Sequence, residues 1–487
     1  MHTYEKLFIG GQWVAPATSA TIPVISPHSE ELVGSVPEAS TDDVDRAVAA
    51  ARRAFDAGEW SNAAPEDRIA AVRRFSDLYM AKMMDIAAVI TTEMGSPISF
   101  SQLAQTPAPW MMLNSFIDVA ANHPWEERRQ GVLGGEVVIR SEAVGVVAAI
   151  VPWNVPQFVT MSKLAPALLA GCSIIIKPAP ETPLDAMMMA ELIAEAGIPE
   201  GVVSVLPAGR EVGEHLVSHP GIDKVAFTGS TAAGRRIAAI CGEQLKRCTL
   251  ELGGKSAAII LDDADLGLVT EGLKFASFMN NGQACVAQTR ILASRKNYAT
   301  VVDAVSALAS SLVVGDPHDP ATEVGPLVAQ RQQERVEKYI ALGQEEGARV
   351  VVGGNGMPAG MEKGWYVQPT VFADATNQMR IAREEIFGPV VTVIPFDDVN
   401  DAIAIANDSE YGLAGSVWTG DVDTGLDMAR RVRTGTYGVN QYTMDFVAPF
   451  GGYKSSGIGR EFGKEGFEHY LELKSIVPPG AGVAAAG

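Results

Sequence analysis

Hydrophobic positions in the first part of the chain recur at helical spacing. The segment "STDDVDRAVAAARRAFDAG" opens with polar capping residues, carries apolar residues every three or four positions and ends at Gly58. This pattern predicts an amphipathic helix. A second stretch with the same spacing runs from about Pro65 to Glu93. Glycine, proline and tryptophan interrupt residues 94–135, so no regular element is predicted there.

From residue 137 the pattern changes to short apolar runs that alternate with helical segments. The runs predicted as strands are "VGVVAAIVPWN", "CSIIIKPAP", "GVVSVLPAG", "KVAFTGS", "CTLELGG" and "SAAIILDD". The segments predicted as helices are "LDAMMMAELIAEAG", "EVGEHLVSH" and "TAAGRRIAAICGEQL". Strands that are apolar on both faces are typical of parallel sheets covered by helices. The alternation therefore predicts a mainly parallel, doubly wound sheet.

A second alternating set after residue 290 predicts a second α/β domain. Its strands are "RILAS", "RVVVGG" and "VVTVIPF", and its helices include "YATVVDAVSALASSL" and "QRQQERVEKYIALGQEEG". The tail "EHYLELKSIV" alternates like a strand, far in sequence from either sheet. Tail strands of this kind often pair with another subunit. The final "PPGAGVAAAG" is expected to fray.

Length and charge limit the class of protein. A chain of 487 residues is too long for one hydrophobic core, so two or three domains are expected. The formal net charge of −20 disfavours nucleic acid and anionic membranes as partners. Four cysteines without a CxxC pair form neither a disulfide scaffold nor a zinc motif, so no metal site is predicted. The N-terminus lacks a secretory pattern, which favours a cytoplasmic location.

A candidate nucleotide site lies at "FTGSTAAGRR", where a strand gives way to a helix. Gly229, Ser230 and Gly234 would let phosphate approach the helix N-terminus, whose N–H groups have no partner. The spacing departs from G-x-G-x-x-G, and a tight turn with close strand–helix packing explains the glycines equally well. Lys177 ends another strand, where it is either solvated or placed to reach a ribose or a phosphate.

The stretch "NNGQACVAQTR" places a thiol, Cys285, in a turn rather than in a core strand. A nucleophilic cysteine needs a nearby base or a lowered pKa, and a donor for the oxyanion. Glu251, at a strand end beside two glycines, is a candidate general base, although a routine surface glutamate is the commoner case. Asn154, between two prolines, either donates to an oxyanion or forms a turn.

Seven motifs in order give the chain a resemblance to the aldehyde dehydrogenase superfamily over nearly its whole length. They are "PWN" (152–154), "KPA" (177–179), "FTGS" (227–230), "ELGGK" (251–255), "GQAC" (282–285), "EEIFGPV" (384–390) and "PFGGYKSSGIGRE" (449–461). The resemblance implies an α/β fold with a Rossmann-like dinucleotide-binding domain, a second α/β catalytic domain and a small β oligomerisation extension. The implied bounds are 1–121 and 143–254 for cofactor binding, 255–447 for catalysis, and 122–142 with 468–487 for assembly into a homodimer or homotetramer.

The resemblance also implies catalytic roles for residues that match the motifs. Cys285 is the nucleophile that attacks an aldehyde, and Asn154 with the Cys285 backbone N–H holds the oxyanion. After hydride transfer to NAD, Glu251 activates the water that releases a carboxylic acid. Lys163 matches a lysine assigned to a proton path, and Glu461 matches a carboxylate that assists it.

Cofactor contacts are implied in the same way. Lys177 should contact the adenosine ribose, Ser230 the pyrophosphate and Glu385 the nicotinamide ribose, while Phe387 lies against the nicotinamide. The remaining residues expected at the cofactor are Trp153, Gly229, Gly234 and Leu252. Many NAD-preferring relatives carry a glutamate after "KPA", where this chain has Pro180. NAD is therefore the expected cofactor, and NADP is not excluded.

The aldehyde pocket is expected at Val155, Val159, Ser162 and Phe450. Further candidates for its lining are Trp110, Met111, Tyr442 and Phe446. Small residues at the first three positions favour a bulky or long apolar aldehyde, although ordinary packing around a narrower tunnel is an equal alternative.

Three alternatives to aldehyde oxidation with water remain open from the sequence. An acylating dehydrogenase would pass the thioester to coenzyme A, but it would not need Glu251. A catalytically silent relative would have no reason to keep Cys285, Asn154 and Glu251 together. A cysteine hydrolase would cleave esters without a cofactor, but none of the seven histidines lies in a recognisable motif.

Overall fold

Helices and strands alternate along a computed structural model that describes residues 2–479. The strands are β1 (His2–Thr3), β2 (Leu7–Ile9), β3 (Gln12–Val14), β4 (Thr21–Ile25), β5 (Leu32–Pro37), β6 (Glu126–Gln130), β7 (Glu136–Ala143), β8 (Val146–Ile150), β9 (Ser173–Lys177), β10 (Val203–Val205), β11 (Lys224–Thr228), β12 (Arg247–Glu251), β13 (Ala257–Ile260), β14 (Arg290–Ser294), β15 (Arg349–Val352), β16 (Thr370–Ala373), β17 (Val390–Phe396), β18 (Gly415–Trp418), β19 (Gly438–Val439), β20 (Gly457–Ile458) and β21 (Leu471–Ile476).

The α-helices cover both faces of the larger sheets. They are α1 (Thr41–Ala57), α2 (Pro65–Met94), α3 (Ile98–Phe100), α4 (Pro107–Ala121), α5 (Pro156–Ala170), α6 (Leu184–Glu195), α7 (Arg210–Ser218), α8 (Thr231–Gln244), α9 (Leu266–Phe278), α10 (Tyr298–Ser311), α11 (Gln330–Glu345), α12 (Arg380–Arg383), α13 (Val399–Asn407), α14 (Val422–Arg431) and α15 (Gly463–Glu468). A π-helical turn, Ser101–Gln105, joins α3 to α4.

The first large sheet has the predicted doubly wound topology. Its strand order is β20-β12-β11-β8-β9-β10-β2-β3, and the five strands from β12 to β10 run parallel. The order reverses between β8 and β11. The chain first adds β9 and β10 on one side of β8, and then adds β11 and β12 on the other side. Ligands bind at such a switch point, outside the carboxyl ends of the strands.

The second large sheet has the order β15-β16-β17-β14-β13-β18-β19 and is parallel from β16 to β19. β12 of the first sheet leads into β13 of the second through the short turn at residues 252–256. The carboxyl ends of the first sheet therefore lie against the amino ends of the second. The fold class predicted from the alternation is confirmed.

The tail forms the predicted strand and pairs within its own chain. β21 pairs antiparallel with β7 of its own chain, from Leu471 opposite Ala143 to Ile476 opposite Val138, in a small sheet that β6 completes. β21 is the outer strand of this sheet, so its other edge has no strand partner within residues 2–479. Of the assembly segment 468–487 and the terminal "PPGAGVAAAG", residues 480–487 lie outside the described part of the chain.

Two regions were not predicted from the pattern. Residues 94–135 contain α4, whose Pro107 stands in the first turn where its missing N–H costs no hydrogen bond. β20 belongs to the first sheet, so the chain returns to that sheet after residue 447. Between residues 2 and 479, none of the helices has both the length and the apolar character needed to cross a bilayer.

Tight packing of α9 on the second sheet makes a testable difference between two helical glycines. A Cβ at Gly272 would lie 1.9 Å from the Cη2 atom of Trp418, whereas a Cβ at Gly242 in α8 would meet no atom within 4 Å. We expect Gly272→Ala to lower the thermal midpoint, because overpacking costs about 1–3 kcal/mol. Gly242→Ala, the matched control, should raise the midpoint, since alanine is favoured over glycine in helices. Equal midpoints in the two variants would contradict this packing.

Candidate active site

A cavity of about 340 Å³ lies where the two large sheets meet. Its polar lining includes side chains that come from the ends of strands and from the loop before β14. Those side chains are Asn154, Thr228, Glu251, Cys285 and Glu461. Most of the other lining residues are apolar, among them Phe100, Leu103, Met111, Val155, Phe158, Val159, Phe275, Met279, Tyr442, Met444, Phe446, Phe450 and Phe462. The cavity therefore joins a small reactive end to a long apolar wall.

Cys285 lies in the loop that follows α9. Two asparagines in this loop, Asn280 and Asn281, have left-handed backbones with φ values of 52° and 62°. This conformation is uncommon for residues other than glycine, and asparagine is one of those that tolerate it best. The loop turns sharply as a result and presents the half-buried thiol to the cavity instead of continuing the helix.

Burial controls the ionisation of the thiol. Burial first, and then the charges of Glu385 and Glu251, raise the pKa of Cys285 to about 12. The backbone amides of Cys285 and Val286 hydrogen-bond to the thiol and lower its pKa in part. Those amides are also the donors that an anion at this position would use. The free thiol is therefore protonated at neutral pH.

Asn154 follows β8 and is buried beside Cys285 in the cavity wall. Its side-chain Nδ2 donates to the carbonyl of Gln283 over 2.9 Å. A primary amide carries two N–H groups, so the second remains for an acceptor in the cavity. The position expected for the oxyanion donor is thus adjacent to the nucleophile loop.

Glu251 ends β12 and is buried, and neither of its carboxyl oxygens has a hydrogen-bond partner within residues 2–479. Burial and the neighbouring Glu461 raise the pKa of Glu251 well above its usual range, while Lys163 and Arg460 oppose the shift. Gly451, at φ 151°, leaves the space, since a Cβ there would lie 2.7 Å from Glu251 Oε1. Such an unpaired carboxyl group with a raised pKa is suited to accept a proton near neutral pH.

Lys163 and Glu461 form a buried ion pair behind Glu251. Lys163 Nζ also donates to Thr228 Oγ1 over 2.8 Å. Ser162 is not among the residues that line the cavity, and its hydroxyl donates to Glu461 Oε2 over 2.7 Å. Ser162 supports the wall through Glu461 instead of forming it.

Glu385 and Phe387 lie in the segment between α12 and β17 of the second sheet. The backbone N–H of Gly254 donates to Glu385 Oε1 over 2.9 Å, and burial raises the pKa of Glu385. Phe387 has a φ of 68° and packs edge to face on Trp153, with ring centroids 5.3 Å apart. Trp153 and Phe387, two residues predicted to contact the cofactor, are thus packed against each other.

At the nucleotide turn, the geometry explains one glycine by packing. A Cβ at Gly234 would lie 2.5 Å from the side chain of Leu252, so glycine is needed for α8 to approach β12. Gly229 donates its N–H to the carbonyl of Glu251 over 3.0 Å. Ser230 caps α8 by accepting from the N–H of Ala233 over 3.3 Å. The close-packing alternative therefore applies to Gly234.

The same turn also fits a phosphate. Ser230 is exposed, and the first-turn amides of Thr231 and Ala232 donate to no group in residues 2–479. Lys177 lies at the carboxyl end of β9, where its Nζ donates to the carbonyls of Pro178 and Ala208 over 2.9 and 2.7 Å. Burial lowers its pKa to about 8. Free N–H groups at a helix end, with a lysine on a strand of the same sheet, suit the pyrophosphate and ribose of a dinucleotide.

The other pocket residues divide into two groups. Val155, Val159 and Phe450 line the cavity, and so do the further candidates Met111, Tyr442 and Phe446. Trp110 is not part of the lining. Within residues 2–479 there is no cluster of three or more histidine, cysteine, aspartate or glutamate side chains that would hold a metal ion.

Sequence reasoning missed Gln105 and Asn280, which hold Asn154 in place. Gln105 Nε2 and Asn280 Nδ2 donate to the backbone carbonyl of Asn154 over 3.0 and 2.8 Å. The double asparagine before "GQAC" was a visible signal for Asn280. Gln105 had no signal, because it lies in the region where no element was predicted.

The fold and the cavity define an α/β enzyme with a nucleotide-type sheet and a cysteine at the centre of its reactive site. The sequence profile of the aldehyde dehydrogenase family matches residues 13–476. The chain belongs to the aldehyde dehydrogenase family. The predicted reaction class, oxidation of an aldehyde, is confirmed.

Individual relatives agree with this assignment. Geranial dehydrogenase of Castellaniella defragrans is 47% identical over 473 residues, which cover 97% of this chain and 98% of the relative. A crystal structure of an aldehyde dehydrogenase of Mycobacterium tuberculosis with NAD⁺ is 51% identical, has a TM-score of 0.97 and covers 98% of this chain and 99% of its own. The structure of a mutant aldehyde dehydrogenase of Pseudomonas syringae with NAD⁺ and octanal is 40% identical and has a TM-score of 0.95. The match covers 99% of this chain and 98% of the relative.

The raised pKa of Cys285 predicts how the cofactor-free protein reacts with iodoacetamide. Because only the thiolate reacts, the alkylation rate of Cys285 should rise about tenfold per pH unit from pH 7 to 9. Glu385→Gln removes a charge that opposes the thiolate, so it should raise the rate at each pH. Glu384→Gln, a neighbouring carboxylate bonded to Arg380 and Tyr339, is the matched control. Mass spectrometry of the Cys285 peptide measures the rate, and a plateau near pH 8.5 would contradict the prediction.

Proposed function

We propose that this protein oxidises an apolar aldehyde to a carboxylic acid through a covalent intermediate on Cys285, with NAD as the cofactor. The observation that carries the proposal is the single cavity shared by the Cys285 thiol, the Asn154 amide and the Glu251 carboxyl group. These three groups are the nucleophile, the oxyanion donor and the base that the reaction requires.

In the first step, the Cys285 thiol gives its proton to solvent, and its sulfur attacks the aldehyde carbon to form a thiohemiacetal. The carbonyl oxygen gains negative charge as the carbon–sulfur bond forms. The free N–H of Asn154 and the backbone N–H of Cys285 stabilise that charge in a site with little water. With NAD bound, its nicotinamide would accept the hydride that leaves the thiohemiacetal carbon, and the acyl group would stay on Cys285 as a thioester.

In the second step, Glu251 takes a proton from the water that attacks the thioester. A carboxyl group whose pKa is raised by burial is a stronger base than an exposed glutamate once it is ionised. The Lys163–Glu461 pair lies behind it, and Thr228 bonds to the lysine, so the proton has a polar route away from Glu251. A base in this place serves water, since transfer of the acyl group to a thiol would not require it.

The cofactor would lie across the switch point of the first sheet. Lys177 and Ser230 are the groups placed for the adenosine ribose and the pyrophosphate, and Glu385 with Phe387 for the nicotinamide riboside. The two structural relatives described above hold NAD⁺. Glu181, beside Pro180, is paired with Arg331 and is therefore occupied. Without a free carboxylate to repel a 2′-phosphate, NADP stays a possible second cofactor.

The apolar wall of the cavity supports an apolar substrate. Its lining contains no lysine, arginine or histidine that would recognise a carboxylate or a phosphate. Relatives named for geranial and crystallised with octanal act on or bind aldehydes of this type. We infer an aliphatic or terpenoid aldehyde whose tail lies along the aromatic and methionine side chains.

The assembly, the domain bounds and the location are proposals of the same kind. The β6–β7–β21 sheet has exposed apolar residues, Leu473 and Val477, on or next to its edge strand. An edge of this kind supports a homodimer or homotetramer built through residues 122–142 and 468–487. The two large sheets support a cofactor-binding unit at 1–121 and 143–254 and a catalytic unit at 255–447. Four free cysteines support a reducing, cytoplasmic setting.

Glu251→Gln separates the two steps. The variant should release about one equivalent of NADH per subunit in a burst and then turn over about 100-fold more slowly, because the base for the second step is missing. In the unmodified protein the steady-state rate should rise with pH through the raised pKa of Glu251, and the variant should lose that dependence. Stopped-flow absorbance at 340 nm measures both phases. Cys285→Ala is the control, and it should bind NAD without any burst; a normal steady state in Glu251→Gln would contradict the assigned role.

A panel of aldehydes tests the substrate class. For straight-chain aldehydes kcat/KM should rise about three- to fourfold per added CH₂ until the cavity is filled, since each buried methylene contributes about 0.8 kcal/mol. Aromatic and terpenoid aldehydes belong in the same panel, each tested with NAD and with NADP. Aldehydes of equal length that end in a carboxylate are the matched controls, and they should react more than tenfold more slowly. A flat series, or a preference for the charged controls, would show that the wall does not select apolar tails.

A further inference from the structure

Gln105 ends the π-helical turn and is the one carboxamide of that turn that is buried in the cavity wall. Its Nε2 donates to the backbone carbonyl of Asn154 over 3.0 Å and to Asn280 Oδ1 over 3.3 Å. A longer contact of 3.5 Å reaches Ser96 Oγ. Both amide hydrogens are therefore used within the protein, on two segments that lie far apart in the chain.

Those two segments carry the two halves of the proposed oxyanion site. Asn280 in turn donates to the Asn154 carbonyl over 2.8 Å, and Asn154 Nδ2 donates to the Gln283 carbonyl over 2.9 Å. The bonds form a closed ring between the Asn154 turn, which follows the first sheet, and the Cys285 loop, which precedes the second. No strand pairing joins these segments, so side-chain amides set the distance between them.

The π-helix gives a reason for the position of Gln105. A wider helical turn is costly and is found frequently at functional sites, where it redirects a side chain. Gln102, in the same turn, is exposed, whereas Gln105 is only 2% exposed. The turn thus directs one of its two glutamines inward onto the Asn154 carbonyl.

We propose that Gln105 is a positioning residue for aldehyde oxidation, which fixes the Asn154 amide relative to the Cys285 thiol by bonding to both segments at once. The inference rests on the proposed roles of Cys285 and Asn154. None of the hydrogen bonds of Gln105 reaches Cys285. Its contribution is made through Asn154, and that dependence is what separates it from a residue that only stabilises the fold.

Gln105→Met keeps the length of the side chain and removes both donors. We expect kcat/KM for the best aldehyde of the panel to fall about 10- to 100-fold, since full loss of an oxyanion donor costs about 10²- to 10³-fold. NAD binding and the rate of Cys285 alkylation by iodoacetamide should stay within twofold, because neither needs the oxyanion site. Gln102→Met makes the same change on the exposed side of the same turn and should leave kcat/KM unchanged.

The decisive measurement is a cycle of Gln105→Met and Asn154→Ala. If Gln105 acts through Asn154, the double variant should be no slower than Asn154→Ala by more than twofold. A double variant whose losses multiply would overturn the proposal, and so would a Gln105→Met variant that keeps full activity or loses alkylation in parallel. If Asn154→Ala itself keeps full activity, the proposed oxyanion role fails first and the inference fails with it.

Gln105→Glu provides a second test, which also applies should the methionine variant not fold. An ionised carboxylate cannot donate and would repel the two carbonyl oxygens that Gln105 bonds, whereas a protonated carboxyl group keeps one donor. The ratio of its kcat/KM to that of the unmodified protein should therefore rise as pH falls from 9 to 6. A ratio of one at pH 9 would overturn the proposal.

Discussion

The reactive site depends on the way the two parallel sheets meet. Glu251 closes the last parallel strand of the first sheet, and a short turn leads from it directly into the second sheet. Cys285 stands before the neighbouring strand of that second sheet. The carboxyl ends of the strands in the first sheet thus face the amino ends of the strands in the second. Side chains from both sets of strand ends therefore lie in one cavity. If the sheets separated, the thiol and the carboxyl group would no longer share it.

Burial in one cavity changes the ionisation of both the Cys285 thiol and the Glu251 carboxyl group. Burial raises the pKa of the Cys285 thiol to about 12 and that of Glu251 well above its usual range, so it disfavours the charged form of both groups. Two neutral groups can lie close together without the repulsion that two anions would suffer. The Lys163–Glu461 pair keeps charge nearby but balanced. The thiol of the free protein is thus protonated, beside an ion pair whose charges balance.

The sequence predicted the fold class and the buried strands well because their signal is local. Continuous apolar runs such as "CSIIIK" and strand-end residues such as Glu251 and Lys177 follow from periodicity and position. Contacts between distant segments left no such signal. Ser162 has the size of a pocket residue, yet it bonds to Glu461, which lies 299 positions away. The strand partner of the tail likewise depends on tertiary pairing with β7, which periodicity does not show.

Side-chain amides, and not a ladder of backbone hydrogen bonds, join the Asn154 turn to the Cys285 loop. Each sheet satisfies its own backbone groups, so the loops between the sheets have only side chains with which to bridge the gap. Carboxamides suit this task because they donate and accept without carrying charge into a buried cavity. Charged groups in those positions would alter the pKa of the thiol by their fields. A neutral network around Asn154 and Asn280 therefore fixes distances while it leaves the ionisation of Cys285 to burial and to the reactants.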